Sequence, residues 1–348
     1  MSVHLDLAFI GFGCVGKELA RLLLRKQEEL EANYGLTWRV VGISARSKGI
    51  ALDPDGLDLE AALEAVQNGG SLDDLHKGPP LDDTADFIEA CDADLFFEVS
   101  YTNAEDGQPA TDYVRSALGN GAHVVSANKG PVAFAFRELE ALARENGVGF
   151  FFESTVLHGS PVLGVGREGL PGSHLKRVRG IFNSTTNYVL TRMEQEGLAL
   201  DDAIKEAQAK GVAEADASLD IDGWDSAIKT AILANVFMDA DLIPQDVQPV
   251  GIGGVSVADV QAALAEGERI RLVCEAVRVN GSVEASVRPE RVSLNDPLAS
   301  VMGTSNLIDF ESDSLERLTL IGHNPDCENT AFGMLADMIN ISRGRHLA

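Results

Sequence analysis

The N-terminal stretch Leu5-Asp-Leu-Ala-Phe-Ile-Gly-Phe-Gly-Cys-Val-Gly16 determines which fold we expect for the chain. Its first half, residues 5–10, is mostly apolar and predicts a buried β-strand. The motif Gly11-Phe12-Gly13-Cys14-Val15-Gly16 follows at once, and residues 17–24 have the apolar spacing of an amphipathic helix. A strand, a Gly-x-Gly-x-x-Gly turn and a helix in this order are typical of a dinucleotide-binding unit. The alternative is a glycine-rich turn that binds nothing.

Each glycine of this turn has a distinct expected role. Gly11 would form the tight turn, Gly13 would let the backbone approach a pyrophosphate, and Gly16 would allow the helix to pack closely on the strand. The phosphates would then lie at the helix N-terminus, where backbone N–H groups point toward an anion. The residues expected to bind the cofactor here are Gly11, Phe12, Gly13, Cys14, Val15 and Gly16.

The end of the next predicted strand, residues 39–43, bears on the choice of cofactor. An acidic residue at this point would bind the ribose hydroxyls and favour NAD. The sequence instead continues as Ser44-Ala-Arg-Ser-Lys48, with cations at Arg46 and Lys48. Two cations and two hydroxyls suit a 2′-phosphate, so we expect NADP to be preferred, with NAD as the second cofactor. Alternatively, both cations simply face solvent.

Further strands and helices alternate up to Glu153. Strands are predicted over 95–99, 123–126 and 148–153, and helices over 110–118 and 136–145. This alternation predicts an α/β fold of the Rossmann type, with a doubly wound parallel sheet. Ligands bind at the carboxyl ends of such strands. Four residues near those ends are therefore expected near the cofactor, namely Ser100, Thr102, Ser126 and Lys129. For Lys129 a surface loop is the alternative.

The pattern changes after Glu153 and indicates a second, α+β domain. Strands are predicted over 175–182, 269–278 and 282–293, with helices between them. We expect residues 1–155 to form the dinucleotide-binding domain and residues 156–307 to form a substrate-binding, catalytic and dimerisation domain. Residues 308–348 contain a predicted helix at 330–341 and are expected to pack back on the first domain.

Residues 214–229 are the most acidic part of the second domain. They contain the five carboxylates Glu214, Asp216, Asp220, Asp222 and Asp225, followed by Lys229. Residues 224–238 read as a helix that is apolar nearly all round, which predicts burial. Asp225 and Lys229 lie one turn apart, and an ordinary i,i+4 pair on a solvated face would contribute little. Burying two charges is costly, so Lys229 is better explained as a proton carrier or a substrate ligand.

Composition limits the classes of partner. The net charge of −26 would repel nucleic acid and anionic membranes. No run of 18 apolar residues or charged leader occurs, so we expect a cytoplasmic protein. Four scattered cysteines fit a reducing compartment and argue against structural zinc or a disulfide framework. Acidic residues abound and arginine outnumbers lysine by 19 to 9, which suggests a halophilic, high-salt cytoplasm; an ordinary acidic protein is the alternative.

Four segments together resemble homoserine dehydrogenase. They are Gly11–Gly16, Ser126-Ala-Asn-Lys-Gly-Pro131, Gly180-Ile-Phe-Asn-Ser-Thr-Thr-Asn-Tyr188, and Ala207–Glu214 with Asp220, Asp225 and Lys229. The resemblance implies oxidation of L-homoserine to L-aspartate 4-semialdehyde with NAD(P), or the reverse, in threonine and methionine biosynthesis. It also suggests the short, monofunctional form, without an aspartokinase or C-terminal regulatory domain, acting as a homodimer on a small-molecule substrate.

The resemblance also implies residue roles. Lys229 matches the proton-transfer lysine and Lys129 a second active-site lysine. The substrate-binding positions are Glu214, Asp220, Asp225 and Thr185. A Na⁺ or K⁺ ion is implied near Glu153 and the turn residues Val156, His158 and Ser160.

Three segments depart from the family pattern: 156–161, 322–327 and Ser184. They leave open a paralogue acting on another small amino-acid alcohol or semialdehyde. A non-catalytic dinucleotide-binding regulator is the third reading, although retention of both lysines argues against it.

Overall fold

The computed structural model describes residues 2–345 and separates into two compact units. The first unit comprises residues 2–161 together with 326–345, and the second comprises residues 162–325. The sequence placed these boundaries after residues 155 and 307. The second boundary lies later in the structure because residues 306–312 and 318–322 are strands of the second unit's sheet.

The first unit alternates strands and helices along most of its length. Its elements are β1 (Val3–Ile10), α1 (Cys14–Tyr34), β2 (Leu36–Ala45), β3 (Gly49–Leu52), α2 (Leu59–Gln67), α3 (Thr84–Ala90), β4 (Leu95–Glu98), α4 (Ala110–Gly119), β5 (His123–Ser126), α5 (Lys129–Glu145) and β6 (Phe150–Phe151). The strand order is β3-β2-β1-β4-β5-β6, with only β3 antiparallel to its neighbour. The predicted doubly wound parallel sheet is therefore confirmed.

The second unit is built around an antiparallel sheet. Its elements are α6 (Val162–Glu168), β7 (Leu175–Ile181), α7 (Ser184–Glu196), α8 (Leu200–Ala209), α9 (Ser218–Ile221), α10 (Trp224–Met238), α11 (Pro244–Val247), α12 (Val257–Ala265), β8 (Glu268–Val279), β9 (Ser282–Ser293), β10 (Asn306–Ser312) and β11 (Leu318–Gly322). The strand order is β11-β10-β7-β8-β9. The predicted α+β character is confirmed. No helix in the described part of the chain has the length and apolar character needed to cross a membrane.

The last helix, α13 (Cys327–Ser342), belongs to the first unit. Its apolar face, including Met334 and Met338, joins the core formed by β1 and α1, where Phe9 and Leu23 are fully buried. Burying a Met or Leu side chain contributes roughly 1.5–3 kcal/mol, so this face is enough to hold the helix on the unit. Residues 308–348 were expected to pack back on the first domain. Of the helices and strands in that range, only α13 belongs to the first unit.

A disulfide bond joins Cys14, at the start of α1, to Cys327, at the start of α13. The Cα atoms of the two cysteines are 6.2 Å apart, within the usual range for a bridge. The expectation that the cysteines stay unpaired was wrong for these two. Their separation of 313 residues gave no sign of proximity. Cys91 and Cys274 are free and buried.

Candidate active site

The glycine turn after β1 has the geometry that a dinucleotide requires. Gly11 has φ +98°, and a Cβ atom there would lie 2.6 Å from the carbonyl oxygen of Val99. A Cβ on Gly16 would lie 3.0 Å from the Gly11 carbonyl oxygen, so that glycine lets α1 pack closely on the turn. Gly13 caps α1 and has no atom within 4 Å of its would-be Cβ, which leaves the backbone open to a pyrophosphate. The residues present therefore fit NAD(P).

A cavity of about 580 Å³ lies beyond the end of β2. Arg46 lines this cavity, whereas Lys48 is not among its lining residues. The main-chain carbonyl oxygen of Lys48 accepts hydrogen bonds from the Leu72 amide (2.7 Å) and the Ser71 hydroxyl (3.1 Å). Of the two cations predicted to bind a 2′-phosphate, the structure brings only Arg46 to the cavity.

Glu98, the last residue of β4, connects two strand ends and was not identified from the sequence. Its side chain is fully buried. Oε1 accepts hydrogen bonds from the Ser100 amide (3.0 Å) and the Ser100 hydroxyl, and Oε2 lies 3.2 Å from Ser126 Oγ. Burial raises the pKa of the Glu98 carboxyl, and these hydrogen bonds only partly oppose the effect. The one available signal was an acid inside the otherwise apolar run 95–99.

The turn after β5 is organised by Asn128, which precedes Lys129. The Asn128 amide oxygen accepts from the Gly130 amide (2.9 Å), and its Nδ2 donates to the Tyr101 carbonyl (3.2 Å). Lys129 is the first residue of α5 and is half-buried. Ser126 is fully buried, and its hydroxyl lies 3.2 Å from Glu98 Oε2. Ser100 and Thr102 are half-buried after β4.

The predicted cation turn follows β6. Glu153 is buried, and its amide donates to Asp337 of α13 at 2.9 Å. Val156 is fully buried, whereas His158 and Ser160 are partly exposed. His158 has φ +52°, a left-handed conformation that usually favours glycine. The histidine thus retains the backbone path of a glycine turn. One carboxylate with turn carbonyls forms an all-oxygen donor set, which suits a hard cation.

Lys229 lies in the buried helix α10, as the apolar pattern predicted. Its side chain is 7% exposed, and its ammonium donates to the Phe182 carbonyl (2.7 Å) and pairs with Asp225 (2.8 Å). The solvated-face alternative is excluded by this burial. A buried ammonium held by one carboxylate and one carbonyl is well placed to exchange a proton with a bound substrate.

Asn183 joins two of the predicted carboxylates and was also missed. Its Nδ2 donates to Asp220 at 2.6 Å and to Asp225 at 2.9 Å. Burial and the nearby Asp225 charge raise the pKa of Asp220. Thr185 is buried beside this group and donates to the Val212 carbonyl at 3.2 Å. The N-cap position of Asn183 before α7 was the only sequence signal.

The remaining acids of residues 214–229 lie outside this buried group. Glu214, Asp216 and Asp222 are exposed. Hydrogen bonds from the Ser218 hydroxyl and from the Ser218 amide (3.0 Å) lower the pKa of the Asp216 carboxyl. Ser184 replaces the glycine expected from the resemblance, and its buried hydroxyl has no partner among residues 2–345. The structure therefore groups Asp220, Asp225 and Lys229 but leaves the Glu214 side chain on the surface.

These features are those of a dinucleotide-dependent oxidoreductase. The family model for the homoserine dehydrogenase NAD-binding domain matches residues 11–153, and that for homoserine dehydrogenase matches residues 161–339. The chain belongs to the homoserine dehydrogenase family.

Several homoserine dehydrogenases are similar to this chain over nearly its whole length. The NAD(+)-dependent homoserine dehydrogenase of Pseudomonas canavaninivorans is 38% identical, covering 96% of this chain and 95% of the relative. The homoserine dehydrogenase of Methanocaldococcus jannaschii is 37% identical, covering 97% and 98%. A hyperthermophilic archaeal homoserine dehydrogenase solved in complex with NADPH has a TM-score of 0.83 and 31% identity, and the similarity covers 99% of both chains.

Proposed function

We propose that this chain interconverts L-homoserine and L-aspartate 4-semialdehyde, with Lys229 as the group that transfers the proton at the reacting oxygen. The supporting observation is the buried contact of Lys229 with Asp225 and the Phe182 carbonyl. An ammonium has three N–H donors, and these contacts within the described residues use two of them. The third can donate to a substrate oxygen.

The proposed chemistry divides between the two units. In the oxidation, neutral Lys229 accepts the hydroxyl proton of homoserine; in the reduction, its ammonium donates that proton and stabilises the developing negative charge. NAD(P), when bound, accepts or supplies the hydride. Asp220, Asp225 and Thr185 would bind the substrate, and Glu214 would need to turn inward to hold its ammonium group. Lys129 would act at the start of α5, where the helix N-terminus favours an anionic group.

The experiment is an assay of homoserine oxidation with Lys229→Ala. We expect kcat to fall by about 10²–10⁴-fold, as for loss of a general acid–base group. Lys205→Ala is the matched control, because Lys205 lies in the same unit with its side chain 73% exposed. NADPH binding, followed by fluorescence, should survive both changes. Near-normal turnover in Lys229→Ala would refute the assigned role.

We further propose that NADP is preferred over NAD. The position of Arg46 at the cavity after β2 supports this, because a guanidinium suits a 2′-phosphate. Relatives differ in their stated cofactor, since one is named NAD(+)-dependent and another was solved with NADPH. The preference therefore has to be measured on this chain.

A monovalent cation at the turn after β6 is a second proposed ligand. Glu153 and the carbonyls of Val156, His158 and Ser160 would bind Na⁺ or K⁺ there. The glycine-like φ of His158 supports the proposal, since backbone ligands depend on the path of the chain rather than on side chains. Dialysis against a tetramethylammonium buffer should lower activity, and either Na⁺ or K⁺ should restore it.

Three further proposals concern the protein as a whole, namely its oligomeric state, its adaptation to salt and its metabolic role. A homodimer is supported by the edge strands β9 and β11, which have no neighbouring strand on one side within the described residues. Light scattering should then give twice the chain mass of 37.0 kDa. The charge of −26 supports a halophilic enzyme of a high-salt cytoplasm, active in threonine and methionine biosynthesis. Full stability at low KCl would exclude the proposal that the enzyme is halophilic.

A further inference from the structure

Asn183 uses both ends of its amide group at the start of α7. The residue is 4% exposed, and its Oδ1 accepts hydrogen bonds from the Thr186 amide (2.8 Å) and the Thr186 hydroxyl (3.0 Å). A backbone N–H can only donate, so the amide oxygen must face the helix. The NH₂ group therefore points away from α7, and the orientation of the amide is fixed by the cap.

The NH₂ group supplies one hydrogen to each of two carboxylates. Nδ2 lies 2.6 Å from Asp220 Oδ1 and 2.9 Å from Asp225 Oδ2. The same Asp225 oxygen lies 2.8 Å from Lys229 Nζ. Two partly buried carboxylates this close repel each other, and without the NH₂ group each would lose one hydrogen-bond donor. Asn183 thus holds together two groups that would otherwise separate.

We infer that Asn183 is a positioning residue, which fixes Asp225, and through it Lys229, in the geometry for proton transfer. The inference rests on the proposed function, because the orientation of Lys229 matters for catalysis only if Lys229 transfers the proton. Asn183 does not itself need to touch the substrate. Its contribution is to hold Asp225 in contact with Lys229, while Asn183 Nδ2 also keeps its hydrogen bond to Asp220.

The charged groups around Asn183 make this testable by pH. Asp220 approaches from α9, and Asp225 and Lys229 approach from α10. Cys274 of β8 also lies near Lys229, but burial raises the pKa of its thiol to about 11, so it adds no charge at neutral pH. A new carboxylate at position 183 would thus act on two acids and one ammonium.

The decisive variant is Asn183→Asp. Aspartate keeps the oxygen that caps α7, since Asp and Asn are equally good N-caps, but it loses both donors and adds negative charge. That charge favours the ammonium form of Lys229. We expect the rising limb of the pH profile for homoserine oxidation to move to higher pH by about one unit. We also expect kcat to fall more than KM rises.

Asn183→Ser separates lost donors from added charge. Serine also caps helices but can donate only one hydrogen bond, so we expect kcat to fall by about tenfold with little change in the pH profile. Asn68→Asp makes the same chemical change at an exposed position in the first unit and should behave as wild type. Melting temperatures of all variants show whether the cap survives.

The outcomes are distinct. An alkaline shift in Asn183→Asp, with a melting temperature near wild type, supports the inference. A wild-type profile, or a loss of kcat that only follows a loss of stability, overturns it. If Asn183→Asp does not fold, Asn183→Ser decides, because wild-type kcat in that variant overturns the inference. Activity retained in Lys229→Ala would instead refute the proposed function.

Discussion

Discrimination between NADP and NAD should depend on a single residue, Arg46. It lines the cavity after β2 together with the carboxylates of Asp73, Asp82 and Asp83. A 2′-phosphate entering this cavity would be repelled by the three acids unless a cation offset their charge. The sequence suggested two cations for this task, but the structure directs only one of them to the cavity.

We therefore expect Arg46→Ala to lower kcat/KM for NADP by about 10–100-fold, the loss that corresponds to one charge-assisted hydrogen bond. With NAD, kcat/KM should change little, because NAD has no 2′-phosphate. Lys48→Ala is the matched control and should leave both values near wild type. Initial rates with each cofactor at saturating homoserine measure the effect. Equal losses with both cofactors would show that Arg46 does not read the phosphate.

At the residue scale, the sequence predicted those site residues whose partners lie nearby in the chain. Asp225 and Lys229 are four residues apart on one helix, so their pairing followed from helical periodicity. Asn183 lies 37 and 42 residues from the two carboxylates that it contacts. Contacts at such separations depend on how β7, α9 and α10 pack, and one sequence does not encode them in a readable pattern.

At the element scale, the turns after β4 and β5 depend on one buried acid, Glu98. Its two oxygens contact Ser100, in the turn after β4, and Ser126, the last residue of β5, three residues before Lys129. Burial raises the pKa of the Glu98 carboxyl, and hydrogen bonds from Ser100 and Ser126 oppose this effect. Glutamine has nearly the same shape and keeps one carbonyl acceptor, but its NH₂ group replaces the second oxygen with a donor.

We predict that Glu98→Ala lowers the free energy of unfolding by about 1–3 kcal/mol, the cost of leaving buried polar groups unpaired. It should also raise KM for NADP, since both turns border the cofactor-binding edge of the sheet. Glu98→Gln should recover most of the loss in both measurements, by urea unfolding and by steady-state kinetics. Glu89→Gln, at an exposed position on α3, controls for removal of a carboxylate. If glutamine is as damaging as alanine, Glu98 acts as a charged group.

Long, strongly patterned elements were predicted well and short ones were not. The bounds of α10 and β9 agree with the expected ranges 224–238 and 282–293. In contrast, β3 has four residues, and β11 has five of intermediate or higher exposure. Neither has an apolar alternation long enough to separate a strand from a loop, and each is a strand because a neighbouring strand pairs with it.

At the scale of the whole molecule, the sequence predicted two domains and a helix at 330–341 that returns to the first, but not what that helix contacts. The parallel sheet of the first unit followed from the alternation of strands and helices, whereas its strand order and β3 were not predicted. The return of α13 to the first unit depends on apolar packing against α1, and its link to the glycine turn is a disulfide between residues 313 positions apart. Four scattered cysteines gave no basis for pairing two of them.

The Cys14–Cys327 bond should make an appreciable contribution to the stability of the chain. A cross-link that closes a loop of this length restricts the unfolded chain, and removing a bridge of this kind typically costs about 2–5 kcal/mol. We expect a reducing agent to lower the melting temperature of the wild type to about that of Cys327→Ser. The melting temperature of Cys327→Ser should be the same with and without the reductant. Cys91→Ser is the control, because Cys91 is a free thiol outside the bridge. A wild-type melting temperature that is insensitive to reduction and equal to that of Cys327→Ser would show that the bridge does not form in solution.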